Sequence, residues 1–496
     1  MTNRRSFQNA LKWAYAGNWG ERGFSALFTI ILAGLLGPKD FGTVSIAVVY
    51  ISFLQMFLDQ GFVAALIQRK DLHSKHLDAV FWMDQVLSVF LIGLSILLSG
   101  WWAAKNHAPE VAKVISVLSF SIPIHGLTVV QSAILSKNMD FKSLTIRSNA
   151  AVLVSGIVGI GMAIAGLGVW SLVGQQLIRD FVALLLLWKL SDWRPRFEFS
   201  WNHLKDLTSF SVSNFIGQLG VYADLQAASV VLGLFFGPIA VGLYRIADRI
   251  TNTVVVIAVS SIQSVSFPEF ARYQDNPEEL RKSVLTCIRL SSVSSLPALA
   301  GLAAVSTPLM ATVGASWTPA AGVVKVLSLL GMLLMFGFFT GPLLQALSKP
   351  RFFAILEWSR TIIGTTLLVG TGFLVKNSSV DMQIAGIAIS RFVTGGILIT
   401  PVFVYILMRL CRISFRQLIV AAGPSTIASA VVAGSVFLFH QTGWLSNGKS
   451  IYLLLAEVFV GGVTGLFVLF SLETQLRRAT MGMLQRIFRR PLLSKG

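Results

Sequence analysis

The chain has 496 residues, of which 54% are hydrophobic and 12% are charged, and its formal net charge at pH 7 is +18. Because soluble globular proteins carry about 25% charged residues, this composition excludes a soluble protein. The positive charge does not indicate nucleic acid as a partner, because nothing in the sequence resembles a basic groove interleaved with exposed stacking aromatic residues. The basic residues instead fall mainly in short breaks between apolar runs, as expected for a membrane protein.

Apolar runs long enough for a helix that crosses ~30 Å of hydrocarbon follow one another along the chain. Six precede a polar stretch near residue 190, at 10–36, 41–67, 79–102, 111–135, 148–166 and 168–188. Eight follow it, at 207–235, 239–266, 284–312, 320–347, 353–375, 383–408, 417–439 and 450–471. The sequence therefore predicts an all-α polytopic membrane protein with about 14 transmembrane helices.

Lysine and arginine are distributed unevenly between the two sides of this predicted topology. If Met1 is cytoplasmic, the inner segments hold 27 of these residues and the outer loops hold five. Cytoplasmic loops of membrane proteins collect lysine and arginine, so both termini are expected in the cytoplasm. Residues 473–496 predict a basic amphipathic tail on the inner membrane surface, with anionic phospholipids as its partners.

The chain contains an internal repeat. ILAGLLGPKDFG at 31–42 aligns with VLGLFFGPIAVG at 231–242, with the Gly-Pro pair and the last glycine in register. Each copy lies between the first and second helix of a six-helix set. Two sets in the same orientation predict two lobes related by a pseudo-twofold axis along the membrane normal, followed by two extra C-terminal helices.

The repeat also gives a domain organisation. We expect an N-terminal lobe at 1–190, a cytoplasmic linker at 191–206, a C-terminal lobe at 207–409, two further helices at 410–472 and the tail at 473–496.

Charged side chains occur inside the predicted spans, where each costs at least about 2.5–3.5 kcal/mol on insertion scales. Glu21 and Arg22 lie on a polar face of the first helix, and Arg245, Asp248 and Arg249 lie on a polar face of the eighth. In the second lobe the basic groups outnumber the acidic ones, which predicts an anionic ligand. The ligand candidates are Arg22, Arg245, Arg249 and Arg391, and the coupling or gating candidates are Glu21, Asp59, Asp224 and Asp248.

An alternative interpretation of these charges is that they fasten helices together as internal ion pairs. The candidate pairs are Arg245 with Asp248, Glu21 with Arg22, and Arg179 with Asp180. Both interpretations stay open at the level of the sequence.

Motifs of soluble enzymes are missing from the sequence. It has no Walker A loop, no GxSxG and no HExxH, and its six histidines are scattered. Its two cysteines, Cys287 and Cys411, cannot build a disulfide framework or a metal cluster. We therefore expect neither an enzyme nor a bound metal or cofactor. Coupling to H⁺ or Na⁺ remains open.

Several segments resemble one family of membrane transporters. The longest is residues 31–72, and the others are MDFK at 139–142, GVWSLVGQQL at 168–177, WRPRF at 193–197, VGLYRIADRI at 241–250, FPEFARYQ at 267–274 and GASWTPAA at 314–321. In this order they resemble bacterial polysaccharide transporters of the Wzx type, within the multidrug/oligosaccharidyl-lipid/polysaccharide exporter superfamily. The resemblance covers about residues 8–410.

This resemblance implies a function in the bacterial cytoplasmic (inner) membrane. The expected activity is to flip an undecaprenyl-diphosphate-linked oligosaccharide by alternating access, for exopolysaccharide, capsule or O-antigen synthesis. The diphosphate would bind the arginines named above, and a polysaccharide polymerase or export machinery would be a further partner. Alternatives are a cation-coupled multidrug antiporter, a lipid II flippase and, less favoured by the short outer loops, a membrane glycan polymerase.

Overall fold

A computed structural model of the protein describes residues 2–59, 62–68, 72–138, 140–442 and 450–473. Every regular element in this part of the chain is helical, which confirms the predicted all-α polytopic membrane fold. Chain contacts divide the molecule into two compact units. The first comprises Met1–Arg249 and Ala354–Ser390, and the second comprises Ile250–Phe353 and Arg391–Gly496. Beyond Glu473, the predicted amphipathic tail lies outside the described residues.

The helices follow the predicted spans closely. Those that begin before residue 250 are α1 (Thr2–Leu35), α2 (Pro38–Asp59), α3 (Phe62–Gln68), α4 (Ser74–Lys105), α5 (Glu110–Leu118), α6 (Ser121–Lys137), α7 (Phe141–Ile164), α8 (Val169–Leu190), α9 (Trp201–Phe236) and α10 (Pro238–Arg272). Those that begin later are α11 (Pro277–Ala304), α12 (Ser306–Val313), α13 (Ala320–Leu334), α14 (Thr340–Ala346), α15 (Pro350–Leu374), α16 (Val380–Phe392), α17 (Thr400–Cys411), α18 (Phe415–Gln441) and α19 (Ser450–Leu472).

Twelve helical segments among the described residues are long and apolar enough to cross a membrane. Two predicted spans are not among them. The first corresponds to α1, which carries charged residues through its first two thirds. The second is 320–347, which divides into the 15-residue α13 and the short α14. The exact number of fourteen spans therefore stays a prediction, as does the division into lobes at 1–190 and 207–409.

Some spans are interrupted where the packing requires it. Between α13 and α14 the chain turns near Gly337, whose position leaves no room for a Cβ beside the ring of Phe403. Between α16 and α17 lies a π-helical segment, Val393–Ile399, that contains two adjacent glycines. Segments of this kind are frequent at functional sites.

The segment between α8 and α9 is bound to the first unit. The backbone N–H of Arg196 donates to Asp78 Oδ1 at 2.9 Å, and Trp82 Nε1 donates to the carbonyl of Arg196 at 2.7 Å. The ring of Phe197 stacks on Trp82 with centroids 4.9 Å apart. The predicted linker is therefore anchored at the start of α4, and its last residues already belong to α9.

The two copies of the repeat contact each other directly within the first unit. A Cβ at Gly42 would overlap the backbone carbonyl of Pro238, and a Cβ at Gly242 would overlap the carbonyl of Pro38. The contact is reciprocal, as expected for two related elements packed about a twofold axis. Only glycine permits so close an approach of the two backbones.

The last two helices are fixed to the second unit by charged and polar contacts. Arg289 Nε in α11 donates to both carboxylate oxygens of Glu473, at 2.9 and 3.0 Å. Ser425 of α18 donates to Ser292 of α11 at 3.4 Å. These contacts join α18 and the end of α19 to α11.

Alanine at Gly42 is expected to lower the free energy of unfolding by about 1–3 kcal/mol, because the new Cβ overlaps the Pro238 carbonyl. Alanine at Gly242 should have the same effect through Pro38. Thermal unfolding of the detergent-purified protein measures both. Gly37→Ala is the matched control, since no atom lies near the Cβ that it would add. A Gly42→Ala protein as stable as the wild type would contradict the reciprocal contact.

Candidate functional site

One face of α1 carries two polar side chains that contact arginines from other helices of the first unit. Arg179 Nη2 in α8 donates to Glu21 Oε1 at 2.9 Å. Arg249 Nη2 in α10 donates to Ser25 Oγ at 2.5 Å. Glu21 and Ser25 are four residues apart, so they lie one above the other on the helix. The face therefore brings Arg179 and Arg249 to neighbouring positions along α1.

Arg245 lies one turn before Arg249 on α10 and extends this basic group. Its Nη1 donates to the side-chain oxygen of Gln226 at 3.3 Å. A guanidinium has five N–H donors in a fixed plane and suits the oxygens of a phosphate. Arg245 and Arg249 lie one turn apart on the same helix, and their role as phosphate ligands stays a prediction.

Of the remaining predicted ligands, Arg22 lies on α1 of the first unit and Arg391 belongs to the second unit. Arg22 is exposed and makes no hydrogen bond or ion pair within the described part of the chain. Arg391 belongs to the second unit, at the end of α16 and directly before the π-helical segment. The roles of both arginines as phosphate ligands stay predictions.

The acidic candidates are placed in different ways. Glu21 pairs with Arg179 rather than with Arg22. Asp180 does not pair with Arg179; both of its carboxylate oxygens accept from the side-chain amide of Gln176 at 3.2 Å. Asp248 is half-buried on α10. Asp59 ends α2, and its side chain lies outside the described part.

Asp224 takes part in a network that joins α9 to α15. Arg360 Nη2 is 3.0 Å from Asp224 Oδ2 and 2.9 Å from Glu357 Oε2. Gly220 lies one turn before Asp224 on α9. Its carbonyl accepts a hydrogen bond from the hydroxyl of Thr361, the residue after Arg360, at 3.3 Å. Asp224 is buried, so this arginine compensates its charge inside the fold. The network gives Asp224 a packing role, and its role in coupling stays a prediction.

Arg147 is a charged residue of the interior that the sequence analysis placed in a cytoplasmic break. Asp140 caps the helix by accepting from the N–H of Ser143 at 3.1 Å, so α7 begins at Phe141 rather than near residue 148. Arg147 therefore lies almost two turns inside α7. Its Nη1 donates to Ser132 Oγ at 3.4 Å. An aspartate at an N-cap position was the signal that could have located it.

The second unit contains an acidic residue that sequence reasoning also missed. Glu457 of α19 is 1% exposed, and its Oε1 lies 2.8 Å from Nδ1 of His440 in α18. It is the only charged residue of α19, and an isolated carboxylate in an apolar run was a usable signal.

No group of three or more metal-ligating side chains is found among the residues that the structure describes. Cys287 and Cys411 are both buried as free thiols.

The fold and its charged interior define a polytopic α-helical membrane protein. Its structure is similar to that of the lipid II flippase MurJ in an inward closed conformation, with a TM-score of 0.73 and 13% identity over 93% of this chain and 99% of that one. It is also similar to an inward-facing multidrug resistance MATE family transporter of the MOP superfamily, with a TM-score of 0.61 and 18% identity over 81% of this chain and 96% of that one. At these identities the similarity establishes the fold alone.

Sequence comparison then identifies the family. The family model described as "Polysaccharide biosynthesis protein" matches residues 31–322, which is more than half of the chain, so the protein belongs to this family.

Individual relatives are similar over part of their length. The succinoglycan biosynthesis transport protein ExoT of Rhizobium meliloti (strain 1021) is 25% identical over 66% of this chain and 66% of its own length. The teichuronic acid biosynthesis protein TuaB of Bacillus subtilis (strain 168) is 27% identical over 57% and 59%. The lipopolysaccharide biosynthesis protein WzxC of Escherichia coli (strain K12) is 24% identical over 70% and 72%. The chain thus spans just under two thirds of the first of these relatives and less of the second.

Asp224→Asn is expected to lower the free energy of unfolding by about 1–3 kcal/mol, because it weakens the charge-assisted bond between the buried Asp224 and the half-buried Arg360. Thermal unfolding measures this, and the loss should be smaller in an Arg360→Gln background because the partner is already gone. Glu110→Gln, which removes an exposed ion pair with Lys39, is the control and should change little. Additive losses from Asp224→Asn and Arg360→Gln would contradict the network.

Proposed function

We propose that the protein is a flippase that moves a polyprenyl-diphosphate-linked oligosaccharide across the bacterial inner membrane by alternating access. The observation that carries this proposal is the pair Arg245 and Arg249, one turn apart on α10, inside a helix that is long and apolar enough to span a membrane. The family, the relatives named for polysaccharide biosynthesis and transport, and the flippase fold support it.

The physical problem of such a flippase is to carry two phosphates and several sugars past hydrocarbon. Burial of unpaired phosphates is prohibitive, and arginines offset that cost by charge-assisted hydrogen bonds. The sugars need a polar surface, while the prenyl chain can stay in the lipid. We assign the diphosphate to Arg245 and Arg249, with Arg22 of the same unit as an additional ligand. Arg391 of the second unit stays a separate candidate ligand.

The orientation of the chain, the energy source of transport and the partners complete the proposed function. Both termini are placed in the cytoplasm, and the basic tail contacts anionic phospholipids. Transport is driven by an H⁺ or Na⁺ gradient, with Glu21, Asp59, Asp224 and Asp248 as the residues that sense the ion. The protein is a transporter rather than an enzyme, and the product passes to a polysaccharide polymerase or export machinery.

A lipid II flippase is the second candidate function, because the fold is similar to that of the lipid II flippase MurJ, with a TM-score of 0.73. Depletion distinguishes the two functions. Loss of a lipid II flippase causes lysis, whereas loss of an exopolysaccharide flippase removes surface polymer from intact cells. A multidrug antiporter is disfavoured, because organic cations would be repelled by the basic pair on α10.

Arg249→Glu is expected to abolish surface polysaccharide while the amount of protein in the membrane stays normal, because a carboxylate at this position repels the diphosphate. The measurement is polymer per cell in a deletion strain that carries the variant, with protein quantified by immunoblot. Lys105→Glu, an equal charge reversal at the exposed end of α4, is the control and should support normal polymer. Normal polymer output from the Arg249→Glu strain would contradict the assignment.

A further inference from the structure

The first unit contains a polar cavity of about 300 Å³ between α1, α6, α7 and α8 that the diphosphate assignment does not use. Its size lies at the lower end of the range for small-molecule sites. The chemically distinctive side chains that line it are Glu21, His125, Arg147, Gln176, Arg179 and Asp180. Threonine and serine hydroxyls and a few aliphatic side chains complete the wall.

The cavity presents both hydrogen-bond donors and hydrogen-bond acceptors. Arg147 Nε is buried and makes no hydrogen bond to any residue that the structure describes, and its Nη1 reaches Ser132 only at 3.4 Å. Asp180 accepts from the neutral amide of Gln176, with both oxygens 3.2 Å from the same nitrogen. A buried donor without an acceptor is costly, so Arg147 favours a ligand that supplies an oxygen.

The charges of the cavity are balanced. Two guanidinium groups, of Arg147 and Arg179, face the two carboxylates of Glu21 and Asp180. An added anion would lie against both carboxylates, and an added cation would lie against both arginines. A neutral ligand that both donates and accepts hydrogen bonds avoids either repulsion. The hydroxyl groups of a sugar have this property.

The position of the cavity relative to Arg249 fits a sugar that is attached to a diphosphate. Glu21 lines the cavity, and Ser25, which binds Arg249, follows it by four residues on α1. The two sites are thus separated by about 6 Å along the helix axis. A diphosphate at Arg249 would place its directly linked sugar at that distance.

We propose that this cavity binds a neutral sugar residue of the transported glycan, the one next to the diphosphate. Glu21, Asp180 and Gln176 accept from its hydroxyls, and Arg147 donates to one of its oxygens. The inference rests on the proposed function, because the diphosphate at Arg245 and Arg249 supplies most of the affinity. The cavity adds discrimination between a carrier that bears a sugar and one that does not.

The test compares the binding of two synthetic lipids to the full-length protein in nanodiscs. One is a polyprenyl diphosphate, and the other is the same lipid with a single hexose. The wild type should bind the hexose lipid about tenfold more tightly, the effect of one hydrogen bond to a charged group. Arg147→Met should remove this difference and leave binding of the sugar-free lipid unchanged. Asp180→Asn should reduce the difference, and it carries the test if Arg147→Met does not fold.

A third lipid and a control variant separate the possible failures. A uronate in place of the hexose should bind less tightly, and tighter uronate binding that depends on Arg147 would overturn the neutral-sugar assignment. Arg249→Gln should weaken both original lipids equally and keep the tenfold ratio. Equal wild-type affinity for the two lipids, or a ratio that survives both cavity variants, overturns the sugar site alone. Absence of binding to either lipid overturns the diphosphate site and the sugar site with it.

Discussion

The cost of placing charge inside a membrane governs the interior of this protein. Each ionised side chain in the hydrocarbon region must find an opposite charge, water or a ligand. In the first unit Glu21 is compensated by Arg179, and Asp224 by Arg360, across helices that are far apart in sequence. These pairs fix which helices neighbour each other, because a helix that moved away would leave a buried charge unpaired.

The same constraint acts at the C-terminal end of the chain. α18 and α19 are apolar, and in lipid such helices associate through close packing and interhelical hydrogen bonds rather than through the hydrophobic effect. Glu473 binds Arg289 through both oxygens, and Glu457 binds His440. One contact fastens the end of α19 to α11, and the other joins α18 to α19. These polar contacts act together with an apolar interface, in which Leu418 and Ala421 of α18 share one core with Ile288 of α11.

Hydropathy predicts the helices well because span length and apolarity are properties of contiguous sequence. The predicted spans 417–439 and 450–471 correspond to Phe415–Gln441 and Ser450–Leu472. The ion-pair partners of charged side chains, in contrast, depend on residues that are far apart in sequence. The acidic partner of Arg179 is Glu21, 158 residues away, and not the adjacent Asp180. Local spacing favours the adjacent pair, and only the packing of α1 and α8 on their common neighbour α7 decides otherwise.

The sequence predicts the internal repeat but not the contacts that its two copies make. The alignment of Gly42 with Gly242 is visible in the chain, but the direct contact of each with the other copy's proline is not. That contact depends on the symmetry of the assembled unit. For Arg147 the difference is local. Hydropathy predicts that the span begins at residue 148, whereas the cap at Asp140 sets the start of the helix at Phe141.

The partners of the arginines decide which of them can accept a phosphate. A ligand that took Arg179 or Arg360 would leave a carboxylate, Glu21 or Asp224, without its counter-charge inside the membrane, and that cost would cancel much of the gain. Arg245 donates to the amide oxygen of Gln226, a neutral partner that is far cheaper to release. Arg179 and Arg360 thus maintain the fold, and the proposed anionic substrate would take a contact from Arg245 at a lower cost than from either of them.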